Sequence, residues 1–140
     1  MRCDELMKRD VECISPDGTV EEAARTMRDS NVGFLPVCGR DKKVLGTLTD
    51  RDIAVRVVAA GRPPSAKVSD AMTRDLVACR PNDDLTRAVE LMSRHQKSRI
   101  VVIDGDDRLI GVISLSDVAQ AAEEAGARAL RDITERETRA

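Results

Sequence analysis

Aromatic side chains are almost absent from this 140-residue sequence, which contains Phe34 and no Trp or Tyr. Proteins that bind single-stranded nucleic acid stack the bases on aromatic rings, so this class is excluded. Positive charge is not in excess either, because 23 Lys and Arg face 25 Asp and Glu, giving a formal net charge of −2. Binding to duplex nucleic acid needs a strongly basic surface. The sequence therefore predicts an aliphatic core and no nucleic-acid partner.

Long apolar runs are lacking as well. No stretch approaches the roughly 18 consecutive apolar residues that a membrane-spanning helix requires. Residues 1–9 are charged, whereas a secretory signal has a basic segment followed by an apolar one. We therefore expect no membrane association, with the cytoplasm as the default compartment. The four Cys of the sequence are expected to be thiols there.

The sequence repeats itself at an offset of 65 residues, so that 3–53 aligns with 68–118 without a gap. Ten aligned pairs are identical, among them Asp10 with Asp75 and Asp52 with Asp117, and many others exchange similar residues. A unit of this size buries too little surface to be comfortably stable alone. We therefore expect two docked copies related by a pseudo-twofold axis.

Each copy has the pattern of a β-α-β-β-α unit, so the predicted fold class is α/β (α+β). The predicted strands are Val11–Ile14, Phe34–Cys38 and Lys43–Leu48, then Leu76–Cys79, Arg99–Ile103 and Arg108–Ile113. Apolar residues with helical spacing follow Thr19 and Asp84, with a capping box at Thr19 and Glu22, and second helices begin at Thr49 and Ser114. The boundaries are residues 1–60 for repeat 1, 61–67 for the linker and 68–125 for repeat 2. Gly126 is expected to break or bend the last helix, leaving a C-terminal helical tail at 126–140.

A motif of the form Gly-x-x-Thr/Ser-x-x-Asp ends the last strand of each copy, at Gly46–Asp52 and at Gly111–Asp117. The hydroxyl residue lies at a helix N-terminus, where backbone N–H groups favour an anion such as phosphate. The Asp one turn later can accept two hydrogen bonds from a ribose diol. The same spacing also describes a simple capping box. Two copies in equal register, each with the preceding Gly, favour the ligand site.

This duplicated unit resembles a tandem pair of CBS domains, also called a Bateman module, over about residues 3–120. The resemblance rests on both motifs, on Leu35-Pro36-Val37, and on residues 99–104, although Val101 stands where Pro is usual. The second half is similar to the nucleotide-binding repeats of the AMP-activated kinase gamma subunit. The first half is similar to small stand-alone bacterial CBS-pair proteins of the hypoxic-response type.

The resemblance implies a non-catalytic regulatory module that binds an adenosyl ligand in two clefts between the repeats. The ligand class is AMP, ADP, ATP, NAD or S-adenosylmethionine. It also implies a homodimer and an unknown effector protein on which the module acts in trans. The implied ligand-binding residues are Asp52 and Asp117 for ribose, Thr49 and Ser114 for phosphate or ribose, Thr47, Val112, Ile14 and Cys79 around the base, and Arg99 for phosphate.

The two clefts are expected to differ, because Phe34 is the counterpart of Arg99 and Asp50 adds negative charge beside Thr49. We therefore expect the cleft at Ser114 and Asp117 to accept nucleotide more readily. Two other functions remain open: a ligand-free dimerisation or interaction module, and a thiol redox switch. The switch would use Cys13 and Cys38, which the resembling fold places side by side, either as a disulfide or as free thiols. No catalytic or metal-ligating arrangement is evident, and the spacing of the four Cys does not suit zinc.

Overall fold

The computed structural model describes the backbone of residues 1–139 and the side chains of residues 1–135. The first repeat contains α1 (Cys3–Leu6), α2 (Val20–Ser30), β1 (Phe34–Cys38), β2 (Val44–Thr49) and α3 (Asp50–Ile53), which continues as a π-helical turn, Ala54–Val58. The second contains α4 (Val68–Ala71), β3 (Ala78–Cys79), α5 (Leu85–His95), β4 (Arg99–Ile103), β5 (Leu109–Ser114) and α6 (Leu115–Arg139). The fold is α+β, as the sequence predicts.

The two hairpins repeat the same register 65 residues apart. Leu35 pairs with Leu48 in β1 and β2, and Ile100 pairs with Ile113 in β4 and β5. Both hairpins are antiparallel, and the register shifts at the equivalent step in each. All four of these residues are buried, because alternate side chains of each strand face the core of their repeat.

The first strand of each repeat is shorter than predicted. Of Val11–Ile14, Ile14 forms an isolated parallel bridge to Val37, and of Leu76–Cys79 two residues form β3, which pairs in parallel with β4. Val11, Cys13 and Leu76 instead pack against a central core between the two sheets. The apolar side chains that led to the strand predictions therefore pack between the repeats.

Helices α2 and α5 are amphipathic and cover the sheets. The Thr19 hydroxyl accepts a hydrogen bond from the Glu22 N–H, which is one half of the predicted capping box. Asp84 caps α5 by accepting from the Thr86 N–H. Both helices end at a residue in the left-handed conformation, Asn31 or Gln96, which is a common helix stop.

The segment that leads into each repeat packs on the opposite repeat. Lys8 forms an antiparallel bridge to Val112 of β5, and its equivalent Thr73 forms one to Thr47 of β2. Side chains of the same segments also cross to the opposite repeat. Cys3 and Met7 lie in the core of the second repeat. The core of the first repeat contains Val68, Ala71 and Met72. The contacts occur in pairs related by the 65-residue offset, as pseudo-twofold symmetry requires.

The last helix does not break at Gly126. Helix α6 runs without interruption from Leu115 to Arg139, so a break at Gly126 is not found, and residue 140 lies outside the described residues. A single Gly costs about 1 kcal/mol in a helix. The flanking Ala, Arg and Glu residues have high helix propensity and continue the helix through it.

All four cysteines are thiols in the structure. The Cys79 thiol donates a hydrogen bond to the Cys3 sulfur at 3.6 Å, inside the core of the second repeat. Burial raises the pKa of both groups. Burial also raises the pKa of the Cys38 thiol to about 12, and the neighbouring Cys13 side chain adds to the shift. These thiols are held protonated, which opposes their oxidation.

Gly46→Ala is expected to lower the free energy of unfolding by about 1–3 kcal/mol, because overpacking forces the backbone apart. A Cβ at Gly46 would clash with the carbonyl oxygen of Thr73, where the leading segment crosses β2. Gly126→Ala is the control, since a Cβ there meets nothing within 4 Å and favours the helix. Urea unfolding followed by circular dichroism measures both, and an unchanged midpoint for Gly46→Ala would contradict the close approach.

Native protein at pH 8.5 is expected to alkylate Cys38 more than about 100-fold more slowly than urea-unfolded protein does, and to alkylate Cys3 and Cys79 more slowly as well. The raised pKa leaves little reactive thiolate at that pH. Peptide mass spectrometry after timed iodoacetamide pulses measures each site. Rapid native alkylation of Cys38 would reject its buried setting, whereas protection that survives denaturation and disappears with reductant would show the Cys13–Cys38 disulfide.

Candidate functional site

Two clefts lie between the repeats at positions related by the 65-residue offset. The Ser114 cleft has a volume of about 360 Å³ and is lined by Val112, Ser114 and Asp117. The Thr49 cleft has a volume of about 610 Å³ and is lined by the equivalent Thr47, Thr49 and Asp52. Phe34 and Arg99, which are themselves equivalent, line both clefts. Each cleft therefore has walls from both repeats.

In the Ser114 cleft, the Asp117 carboxylate retains capacity to accept hydrogen bonds. The Ser114 hydroxyl oxygen accepts from the Asp117 N–H at 3.2 Å and lies 3.1 Å from the Ser116 hydroxyl. The Asp117 Oδ2 atom is buried and has no hydrogen-bond partner within the described chain. The Lys8 Nζ atom lies 3.8 Å from it, at ion-pair distance. A buried carboxylate oxygen without a hydrogen bond is costly unless a further donor reaches it.

In the Thr49 cleft, the Asp52 carboxylate is already in use. Its Oδ2 atom accepts from the Thr49 N–H at 3.0 Å while the Thr49 hydroxyl accepts from the Asp52 N–H at 3.1 Å, so the capping box is complete. The Thr73 hydroxyl donates to the same carboxylate at 3.4 Å, and Arg56 Nε lies 3.9 Å away. The simple capping interpretation thus describes this half better than the Ser114 half.

The structure brings most of the predicted site residues to the clefts but not all of them. Ile14 packs against the core of the first repeat, and Cys79 is 3% exposed in the core of the second. In their place, Glu12 and Val77, each two residues earlier in the chain, line the Ser114 and Thr49 clefts. Contrary to the expectation, Ile14 and Cys79 therefore do not line the two clefts.

Sequence reasoning also missed the leading segments as cleft walls. Lys8 and Asp10 line the Ser114 cleft, and the equivalent Thr73 and Asp75 line the Thr49 cleft. One signal was present in the sequence, namely the identity of Asp10 with Asp75 in a polar stretch ahead of the first strand. Core packing does not require the same carboxylate in both repeats at such a position.

The clefts are suited to binding. Their walls contain carboxylates, hydroxyls and cations beside apolar side chains, and no His or Cys is among the lining residues. Within the described residues, no cluster of three His, Cys, Asp or Glu could hold a metal ion. No helix in that part of the chain is both long and apolar enough to cross a membrane.

Two curated relatives are similar to this chain over most of their own length. It is 40% identical over 133 residues to the CBS domain-containing protein YhcV of Bacillus subtilis, covering 93% of each. It is 33% identical over 117 residues to hypoxic response protein 1 of Mycobacterium tuberculosis, covering 83% of this chain and 81% of that protein. An inosine-5'-monophosphate dehydrogenase of Methanocaldococcus jannaschii is 36% identical over 117 residues, but the match spans 23% of that enzyme.

Solved structures share the fold. The crystal structure of hypoxic response protein I with two coordinated zinc ions matches with a TM-score of 0.79 at 31% identity, covering 86% of this chain and 98% of that one. A CBS domain pair in complex with 5'-methylthioadenosine and S-adenosyl-L-methionine matches with a TM-score of 0.81 at 18% identity, covering 89% and 98%. CBSX2 in complex with AMP matches with a TM-score of 0.78 at 22% identity, again covering 89% and 98%.

The family model of the CBS domain matches residues 3–59 and 68–124. The two matched ranges keep the 65-residue offset found in the sequence, and they include both motifs at Gly46–Asp52 and Gly111–Asp117. The chain therefore belongs to the CBS domain family and contains two CBS domains in tandem.

Proposed function

We propose that this protein is a non-catalytic regulatory module that binds an adenosyl ligand of the AMP, ADP, ATP, NAD or S-adenosylmethionine class in its inter-repeat clefts. The observation that carries the proposal is the Asp117 carboxylate, which lines a cleft with a buried oxygen that lacks a hydrogen-bond partner within the described chain. A ribose diol supplies two donors to one carboxylate, as in other nucleotide folds. The AMP and S-adenosylmethionine complexes of solved CBS proteins support the ligand class.

Other cleft residues have roles that suit the same ligand. Val112 and Phe34 provide apolar surface for a base, and the Ser114 hydroxyl lies beside Asp117 for a second polar contact. Arg99 at the start of β4 is exposed and lines both clefts, where its guanidinium suits a phosphate. Ile14 and Cys79 are left out of this site because both pack in the repeat cores.

A ligand in either cleft contacts both repeats, so it favours the arrangement of the repeats in which both walls fit it. A separate partner protein would read that difference in trans. We place this action in the cytoplasm, where thiols such as the four found here stay reduced.

Asp117→Asn is expected to weaken binding of the preferred adenosyl ligand by about tenfold or more, because hydrogen bonds to a charged acceptor are the strong ones. Titration calorimetry with AMP, ATP, NAD and S-adenosylmethionine measures this. Thermal melting of the ligand-free variant should not fall, since the buried Asp117 oxygen makes no hydrogen bond in the structure.

Asp132→Asn on the exposed part of α6 is the matched control and should bind as the unaltered protein does. Absence of heat with every adenosyl ligand would reject the sensor. It would leave the ligand-free interaction module, for which the complete capping box at Thr49 and Asp52 is the supporting observation.

We also propose that two copies of the chain associate through helices that expose apolar side chains. Val55 and Val58, three residues apart on the turn that follows α3, are 52% and 70% exposed, and Leu115 is 48% exposed. Apolar side chains grouped at a surface mark interaction sites more often than isolated ones do.

Sedimentation velocity is expected to give twice the 15.3 kDa chain mass for the unaltered protein and the single mass for Val58→Glu. Burying a charge without a partner opposes association. Leu130→Glu, which alters an equally exposed apolar residue farther along α6, should remain dimeric. A monomeric unaltered protein would refute the dimer, and a monomeric Leu130→Glu would move the interface to α6.

A further inference from the structure

The two clefts differ in charge at positions that the 65-residue offset makes equivalent. Arg51 lines the Thr49 cleft, and its equivalent in the Ser114 cleft is Ser116. Lys97 lines the Thr49 cleft, and its equivalent is Val32. The Thr49 cleft therefore holds two cations where the other cleft holds a hydroxyl and an aliphatic side chain.

These cations are available to a ligand. Within residues 1–135, the side chains of Arg51, Lys97 and Arg99 make no hydrogen bond or ion pair in the structure. Arg56, by contrast, donates to the carbonyl oxygens of Ala71 and Met72. Cations without partners in a concave site attract an anion of several charges.

The Ser114 cleft carries the opposite bias. Among the described residues, each cleft is lined by three carboxylates, but the Ser114 cleft has two cations, Lys8 and Arg99, where the Thr49 cleft has four, Arg51, Arg56, Lys97 and Arg99. Its own Lys8 lies 3.8 Å from Asp117, which offsets that charge. The cleft is also the smaller, at about 360 Å³ against about 610 Å³. A polyphosphate chain would meet more repulsion than attraction there.

We propose that the Thr49 cleft binds an adenosine polyphosphate, whereas the Ser114 cleft binds an adenosyl ligand whose 5' substituent is neutral or positively charged. This inference rests on the proposed function and assigns a ligand class to each of its two clefts. For polyphosphates it reverses the sequence-based expectation that the Ser114 cleft accepts nucleotide more readily. For ligands with a neutral or positively charged 5' substituent it keeps the preference for the Ser114 cleft. Asp50, one of the two grounds for that expectation, accepts from the Arg51 N–H, and the unpartnered cations Arg51, Lys97 and Arg99 line the same cleft.

The test exchanges the cations of one cleft for their equivalents in the other, with ATP and 5'-methylthioadenosine as calorimetric probes. In Arg51→Ser/Lys97→Val, the dissociation constant for ATP is expected to rise by about tenfold for each cation removed. The constant for 5'-methylthioadenosine should stay within about twofold, because that ligand is uncharged. Arg128→Ser/Arg131→Val, on the exposed part of α6, removes the same charge outside both clefts and should change neither constant.

The reciprocal exchange Ser116→Arg/Val32→Lys should raise the number of ATP molecules bound from one to two, since both altered positions line the Ser114 cleft. An ATP affinity that survives the first exchange, or that falls instead with Asp117→Asn, would overturn the assignment. A parallel loss of both ligands would overturn it as well. If the unaltered protein bound neither these probes nor AMP, NAD or S-adenosylmethionine, the proposed function itself would fail. Binding of one of those three ligands without either probe would overturn the assignment of the clefts and leave the proposed function standing.

Discussion

The backbone contact between each leading segment and the last strand of the opposite repeat determines where a ligand can bind. Lys8 pairs with Val112 and Thr73 pairs with Thr47. The first pair lines the Ser114 cleft and the second lines the Thr49 cleft. The contact requires Gly in the crossed strand, because a Cβ at Gly111 would lie 2.9 Å from the Lys8 carbonyl oxygen. The Gly of each motif is thus explained by the crossing. The crossing also gives each cleft walls from two repeats that are distant in sequence.

Duplication has preserved the backbone of the two sites while their side chains have diverged. The hairpin registers agree pair by pair, so the carboxylates of Asp52 and Asp117 occupy equivalent places. Their partners differ: Asp52 accepts from Thr49 and Thr73, whereas Asp117 faces Lys8 and keeps an oxygen without a hydrogen bond within the described chain. Equal geometry with unequal chemistry is what two different ligands would require.

The sequence predicted what depends on local pattern and on repetition. Both hairpins, both amphipathic helices and the equivalence of the motifs follow from apolar periodicity in a fixed register, and β1 and β4 have their predicted bounds. The predictions that were wrong or missing concern contacts between segments that are distant in the sequence. Val11 is apolar and is therefore predicted to lie in a strand. In the structure its side chain packs between the sheets, and the residue belongs to no strand. Nothing local in residues 3–10 indicates that Cys3 and Met7 complete the core of the other repeat.

The placement of Arg99 has a thermodynamic consequence for the two clefts. Its side chain lines both, and one guanidinium can approach one phosphate chain at a time. A polyphosphate in the Thr49 cleft would therefore withdraw Arg99 from the Ser114 cleft, where Lys8 would be the cation left among the described lining residues. Coupling between binding sites is reciprocal, so two phosphate-bearing ligands would weaken each other by the same factor. A ligand without phosphate in the Ser114 cleft escapes this penalty, and both clefts can then be filled at once. A pairing of unlike ligands therefore avoids competition for Arg99 between the two clefts.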